Sequence, residues 1–314
     1  MLSILQLLTY AGGLVFVIVL VRKLLGYWSM PMHVRWELYP IPHEGKEWGG
    51  SFFEEVDHWK KTRHVDHMAQ YKFMIPEILF IKALREDNRP LWIWSMPFHM
   101  GLYLSIGGLV FMVIGAVLQI VGLAPGSSAL ASIVQALMIL LAVVGFAMGT
   151  VGALGLLVKR LTDPHLQDFN APIDFLNLVW LAAIFVTGFV GFLMMPGAWF
   201  GVSREFLVNM LTFNIGAEIA NFSTLHWINL LLFIGFVAYF PFTHMTHMIS
   251  KYFMWDKVKW DDNPNVGDPG MDEKIKRYLA YPVTWSADHV GAEGGKKSWA
   301  DIATFNPWEK KEEK

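Results

Sequence analysis

Leu225-His226-Trp227, the apolar run 228–240 and Pro241-Phe242-Thr243-His244-Met245-Thr246-His247 decide how this chain reads. The stretch holds no Asp, Glu, Lys or Arg, yet it carries three histidines, one near its start and two near its end. A run this long and this apolar is sized to cross a bilayer. An imidazole inside it is costly to bury and normally faces a partner or a cofactor. His226 and His244 are 18 residues apart. On a straight helix that is five turns, which puts both on one face about 27 Å apart, with His247 a turn further on. The spacing leads us to expect ligands stacked at two depths of a membrane, as two haems would be.

The composition agrees with a membrane setting. Only 17% of the 314 residues are charged, and 54% are hydrophobic, with 14 Trp and 23 Phe. A soluble domain would carry about 25% charged residues. The net charge of -2 says little about partners, and nothing points to nucleic acid. There is no cysteine, which excludes thiolate-held iron–sulfur clusters, covalently attached c-type haem and disulfides. Any redox chemistry in this chain must use non-covalent cofactors.

Outward from the deciding stretch, four further runs are long and apolar enough to span. The five expected spans are 2–26, 91–122, 129–158, 173–195 and 224–250. The first lacks a basic leader and a small-residue cleavage site, so it reads as a retained helix. Of the 25 Lys and Arg, 24 fall in Arg22, Lys23, segment 28–90, loop 159–171 and the tail from Lys251; only Arg204 lies in the two opposite loops. The positive-inside rule makes the basic side cytoplasmic. The expected protein is therefore an all-α, five-span transmembrane helix bundle of the cytoplasmic membrane, N-terminus outside and C-terminus inside. It divides into a first span (1–27), a cytoplasmic amphipathic insert (28–90), a four-helix haem-binding core (91–250) and an extended cytoplasmic tail (251–314).

Within the insert, 32–43 reads as a Pro-stiffened extended segment. Stretches 52–63 and 68–85 have helical spacing and suit an amphipathic pair on the membrane surface. The outer loop 205–221 is amphipathic and expected to cap the outer face. The tail sets aromatic residues, Trp255, Trp260, Tyr278, Tyr281, Trp285, Trp299 and Trp308 among them, between Gly, Pro and charges, too sparse for a core of its own; wrapping over a partner subunit and disorder are both open.

The eleven histidines sort by setting. His33, His43, His58, His64 and His67 read as surface residues, because a zinc site at His64-x-x-His67 would need further ligands and none is obvious. His165 and His289 read as structural. The intramembrane set is His99, His226, His244 and His247. His99, in Met96-Pro97-Phe98-His99-Met100-Gly101, lies about two turns into the second span from the basic side. His244 and His247 lie near the basic end of the fifth. Opposed helices thus offer imidazoles at one depth, as bis-histidine ligation of a b-type haem requires. Gly101, Gly107 and Gly108 would let a flat macrocycle approach the second span closely.

Phe98-His99-Met100-Gly101 and Phe240-Pro241-Phe242-Thr243 followed by His247 resemble the nitrate reductase gamma-subunit family of five-span dihaem b cytochromes. That family includes the membrane cytochromes of heterodisulfide reductase and of the Dsr, Hmc and Tmc complexes; segment 36–44 and the long insert look most like the Tmc-type branch. The resemblance covers about 91–250. It implies haem b, two per chain, and electron exchange between a quinone pool (menaquinone) and a cytoplasmic iron–sulfur subunit of heterodisulfide-reductase type. It also implies a periplasmic multihaem cytochrome c as a second partner. His99 and His247 match the family's ligands for the haem nearer the cytoplasm, with His244 either the substitute for His247 or a hydrogen-bond partner of a propionate or quinone. His226 matches the distal ligand approximately, one turn early relative to Pro241. The family's second histidine on the second span falls at Leu109, so the distal haem is expected to be high-spin or to use another ligand such as Met112. Near His226, Glu218, Asn221 and Gln119 are candidate quinone contacts able to accept protons.

The expected function is a haem b electron-transfer subunit of a quinone-linked membrane oxidoreductase. The rival reading is a haem-free membrane anchor or proton-conducting subunit.

Overall fold

The computed structural model describes residues 2–30, 32–34, 56–57, 60–62, 67–167, 170–254, 257–259, 269–285, 287 and 297–304. In chain order, α1 (Leu2–Ser29) is followed by a three-residue strand β1 (Met32–Val34), then α2 (His67–Phe80), α3 (Lys82–Asp87) and α4 (Arg89–Ile120). Next come α5 (Ala129–Thr162), the short α6 (Pro164–Gln167), α7 (Pro172–Met194), α8 (Trp199–Leu211) and α9 (Thr224–Tyr239). After a broken stretch, α10 (His247–Met254) leads into β2 (Lys257–Lys259), which pairs antiparallel with β1. Five of these helices, α1, α4, α5, α7 and α9 with its extension to Phe242, are long and apolar enough to cross a membrane.

Four of the five spans match the expected ones within a few residues, the fifth ends at Phe242 and not at residue 250, and the outer faces explain why the runs were legible. Leu14, Val17, Ile18, Val110, Leu140, Val151 and Leu193 are all exposed on the spans. In water such a surface would associate; against acyl chains it needs no cover. Helix ends follow local chemistry. Asn88 Oδ1 accepts from Leu91 N at 3.1 Å ahead of α4, and Ser128 Oγ accepts from Ala131 N at 3.2 Å ahead of α5. Asp174 closes the start of α7 by accepting from Ala171 N at 3.1 Å.

Neighbouring spans pack in the order α4–α5–α7–α9–α1, with α8 covering α4 at one end. The closest pair is α4 and α5, and small residues make it so. A Cβ added at Gly101 would stand 2.3 Å from Gly149 N, and one at Gly152 would stand 2.2 Å from Phe98 N. This corrects one expectation: Gly101 and Gly108 admit the backbone of α5, at Gly149 and Ala142, and not a macrocycle. Polar side chains lock the other pairs. Asn229 on α9 donates to Ile184 O at 2.9 Å and Thr187 Oγ1 at 2.8 Å on α7, and Trp180 Nε1 donates to Leu232 O at 2.9 Å. On α1, fully buried Gln6 accepts from Gly216 N at 2.7 Å and donates to Asn214 O at 3.2 Å, tying the outer loop down.

The fifth span is not the straight helix that the 18-residue spacing assumes. Pro241 has no N–H to continue the ladder, and 3₁₀ turns at Phe240–Phe242 and His244–Thr246 flank Thr243, whose backbone is extended. Thr243 Oγ1 donates to Phe240 O at 2.8 Å and accepts from Met245 N at 3.1 Å, which stabilises the break. His226 and His244 therefore do not share a helix face.

In the insert, the expected second amphipathic helix is interrupted at Ile81, which adopts φ 50°, and becomes α2 and α3. The expected helix over 52–63 and the segment 36–44 lie largely or wholly outside the described residues, as do His43, His58, His64 and His289. Helix α2 is tied to the bundle: Tyr103 donates to Ile78 O at 2.7 Å, and Lys251 on α10 pairs with Glu77 at 2.9 Å.

Residues 260–314 form a separate compact unit. It contains α11 (Pro269–Leu279) and α12 (Trp299–Thr304). Contrary to expectation it has a small cluster of its own: Val283 is buried against Ala287 and Ile302. Val283 N donates to Lys297 O at 2.8 Å and Trp299 N to Tyr281 O at 3.1 Å. Asp301 accepts from Ser298 N and Oγ, both at 2.8 Å, which starts α12 and holds the Asp301 carboxyl below its usual range.

Candidate functional site

A cavity of about 220 Å³ opens at the end of the bundle that carries Arg160 and Lys251, where α4, α5, α7 and the broken end of the fifth span meet. His99, His244 and His247 all line it, together with Ser95, Arg160, Asp174 and Asn177 and an apolar wall that includes Phe98 and Leu181.

The three histidines are committed differently. On α4, His99 Nδ1 lies 2.8 Å from the backbone oxygen of Ser95, one turn earlier. A carbonyl can only accept, so Nδ1 carries the proton and the Nε2 lone pair is left free. At the start of α10, His247 Nδ1 lies 3.2 Å from the backbone oxygen of His244, which fixes the same tautomer. Orientation of one ring nitrogen by a carbonyl is how iron- and zinc-ligating imidazoles are held. The His244 ring instead has Nε2 at 3.6 Å from Asp174 Oδ1. His244 is thus tied to a carboxylate, whereas His99 and His247 keep a free nitrogen each.

Three further groups escaped the sequence reading: Arg160, Asp174 and Asn177. Arg160, near the end of α5, donates to Asn170 Oδ1 at 2.6 Å and reaches Asp174 Oδ2 at 3.5 Å. Asn177 is 4% exposed; its Oδ1 accepts from Tyr239 at 3.0 Å, but its Nδ2 has no partner. The only sequence signal was a cation and two polar residues placed just inside the ends of adjacent spans. Nearby, Lys159 at 2.7 Å and the backbone N–H of His165 hold Asp163 below the usual carboxylate range.

On the opposite side, His226 is buried and fully bonded. Its Nδ1 accepts from Ser223 N at 3.2 Å, while Ser223 Oγ accepts from His226 N at 3.4 Å, a reciprocal cap on α9. Its Nε2 lies 3.2 Å from Trp199 O. This is the opposite tautomer, with the proton on Nε2 and the Nδ1 lone pair engaged. The ring is stacked between Trp199, at 4.0 Å between centroids, and Phe222, at 5.3 Å. Glu218 is exposed and makes no hydrogen bond to Gln119 or His226. Gln119 instead joins a polar knot with α8: it donates to Glu205 at 2.7 Å, accepts from Arg204 Nε at 2.9 Å, and shares Arg204 with Gln135 on α5. The structure therefore brings His99, His244 and His247 together, and separates Glu218 from the other outer candidates.

Among the described residues, no cluster of three or more His, Cys, Asp or Glu forms a metal site. A model of the nitrate reductase gamma subunit family matches residues 84–259, from within α3 to the end of β2 and more than half of the chain. No curated protein and no solved structure matches.

Proposed function

This chain belongs to the nitrate reductase gamma subunit family, and on that footing we propose that it is the haem b subunit of a quinone-linked membrane oxidoreductase. The observation that carries the reading is the pair of tethered imidazoles: His99 and His247 line one cavity, each with Nδ1 on a carbonyl and Nε2 free. Two imidazoles that line one cavity, each with Nε2 unengaged, suit low-spin haem iron. When bound, the haem would supply a one-electron carrier inside the membrane. The chain's own part is to fix both rings by backbone carbonyls, to present Phe98, Leu178 and Leu181 as an apolar wall, and to leave a polar side at Arg160 and Asn177.

The proposal assigns one bis-histidine haem. The outer half supports a second poorly: His226 has neither nitrogen free, and Leu109 stands where the resemblance would require a histidine. Electrons would pass between membrane quinol, of menaquinone type, and a cytoplasmic iron–sulfur subunit of heterodisulfide-reductase type, in the manner of the Tmc-like branch. The basic side, with 24 of 25 Lys and Arg, would face the cytoplasm and that partner, leaving the N-terminus outside.

A pyridine haemochrome assay and a reduced-minus-oxidised spectrum on the purified chain test this. About one b-type haem per chain is expected. A chain that purifies intact from haem-replete cells with no haem would instead support a haem-free anchor.

A further inference from the structure

The polar side of the cavity has a second feature that ligation does not use. Asn177 Nδ2 is a buried donor with no partner, although its amide is oriented by the Tyr239 hydroxyl. A buried N–H left unmade is costly, and its residue lines the cavity, so an acceptor belonging to whatever fills that space would satisfy it. Arg160, on the neighbouring helix, lines the same cavity, anchored by Asn170 and only distantly by Asp174. Two of its five N–H groups account for these contacts at most, and a guanidinium pairs best with a planar carboxylate. Among the described residues, Asp174 is the acidic group that lines the cavity. Its Oδ2 accepts from Ala171 N at 3.1 Å and stands 3.5 Å from Arg160, and its Oδ1 stands 3.6 Å from the His244 ring.

We propose that Arg160 and Asn177 form a receptor for carboxylate oxygen, and that the carboxylates they receive are the propionates of the haem held by His99 and His247. The inference rests on the haem reading above. It makes Arg160 and Asn177 positioning residues, which act on the haem's orientation and potential and not as iron ligands. A cation beside a propionate favours the ferrous haem, which carries one positive charge fewer. Removal of that cation therefore lowers the midpoint potential.

The test is a redox titration of the haem in the purified full chain, with haem content measured on the same samples. Arg160→Gln and Asn177→Leu are expected to keep the low-spin haem and to shift its midpoint downward, Arg160→Gln more. Arg160→Lys, which keeps the charge, should restore the midpoint most of the way and guards against a folding defect in the Gln variant. A midpoint unchanged in both Arg160→Gln and Asn177→Leu, with haem retained, overturns the proposal and leaves the haem reading standing. An unchanged midpoint with slowed quinol oxidation would put a quinone carbonyl at these donors and also overturn it. Absence of haem from the unaltered chain overturns both.

Discussion

The Nδ1 of His247 lies 3.2 Å from the backbone oxygen of His244, while the His244 ring turns to Asp174 at 3.6 Å. Two histidines three residues apart thus have different tasks: one is held as a free Nε2, the other is tied to a carboxylate. His244→Ala keeps the backbone carbonyl that orients His247. It is expected to retain haem at close to one per chain with the absorbance of a bis-histidine site. Haem quantification checks this, and loss of haem in His244→Ala with retention in His247→Ala would exchange the two assignments.

His226 is expected to act on stability. Substitution by Ala removes the Nδ1 acceptor for Ser223 N and the Nε2 donor to Trp199 O, while the backbone bond from His226 N to Ser223 Oγ stays. A buried group left without its partner costs about 1–3 kcal/mol. Thermal unfolding in detergent should show a lowered midpoint for His226→Ala, with the reduced-minus-oxidised haem spectrum unchanged in shape. A haem signal missing from this variant alone would restore His226 as a ligand.

The seam between α4 and α5 leaves no room for side chains. Gly152→Val would drive a Cβ to 2.2 Å from Phe98 N, and overpacking of this kind costs about 1–3 kcal/mol or more. Because Phe98 precedes His99, the same change should loosen the haem. Lower yield of folded protein and weaker haem retention are expected together. Gly13→Val on α1, where nothing lies within 4 Å of an added Cβ, should show neither.

Much of the bundle was legible because spans depend on length and apolarity, which a sequence states directly. The 2–26, 91–122, 129–158 and 173–195 runs became α1, α4, α5 and α7 with shifts of a few residues. The fifth was misread where local chemistry overrides length: Pro241 and the hydroxyl of Thr243 end the helix, and a periodicity argument that assumed a straight rod did not survive them. Gly101 and Gly108 showed that a backbone must approach, but not which one. The free Nε2 of His99 and His247 and the occupied nitrogens of His226 depend on carbonyls at Ser95, His244 and Trp199, and spacing cannot reveal that. Asn177 and Arg160 were overlooked because their meaning lies in a neighbour from another helix.

The chain has no cysteine, so single introduced thiols report sidedness without background. Ser127 and Thr162 flank α5 at opposite ends. With the basic side inside, Ser127→Cys should react with a membrane-impermeant maleimide in intact cells and Thr162→Cys only after permeabilisation. The reverse pattern would invert the topology.

The most direct measurement is haem stoichiometry with the low-spin spectrum in the purified chain and in its His99→Ala and His247→Ala variants, each checked for membrane insertion. The account predicts about one bis-histidine b-type haem in the unaltered chain and loss of that signal in either variant while insertion persists. A full low-spin haem complement in both variants would contradict it.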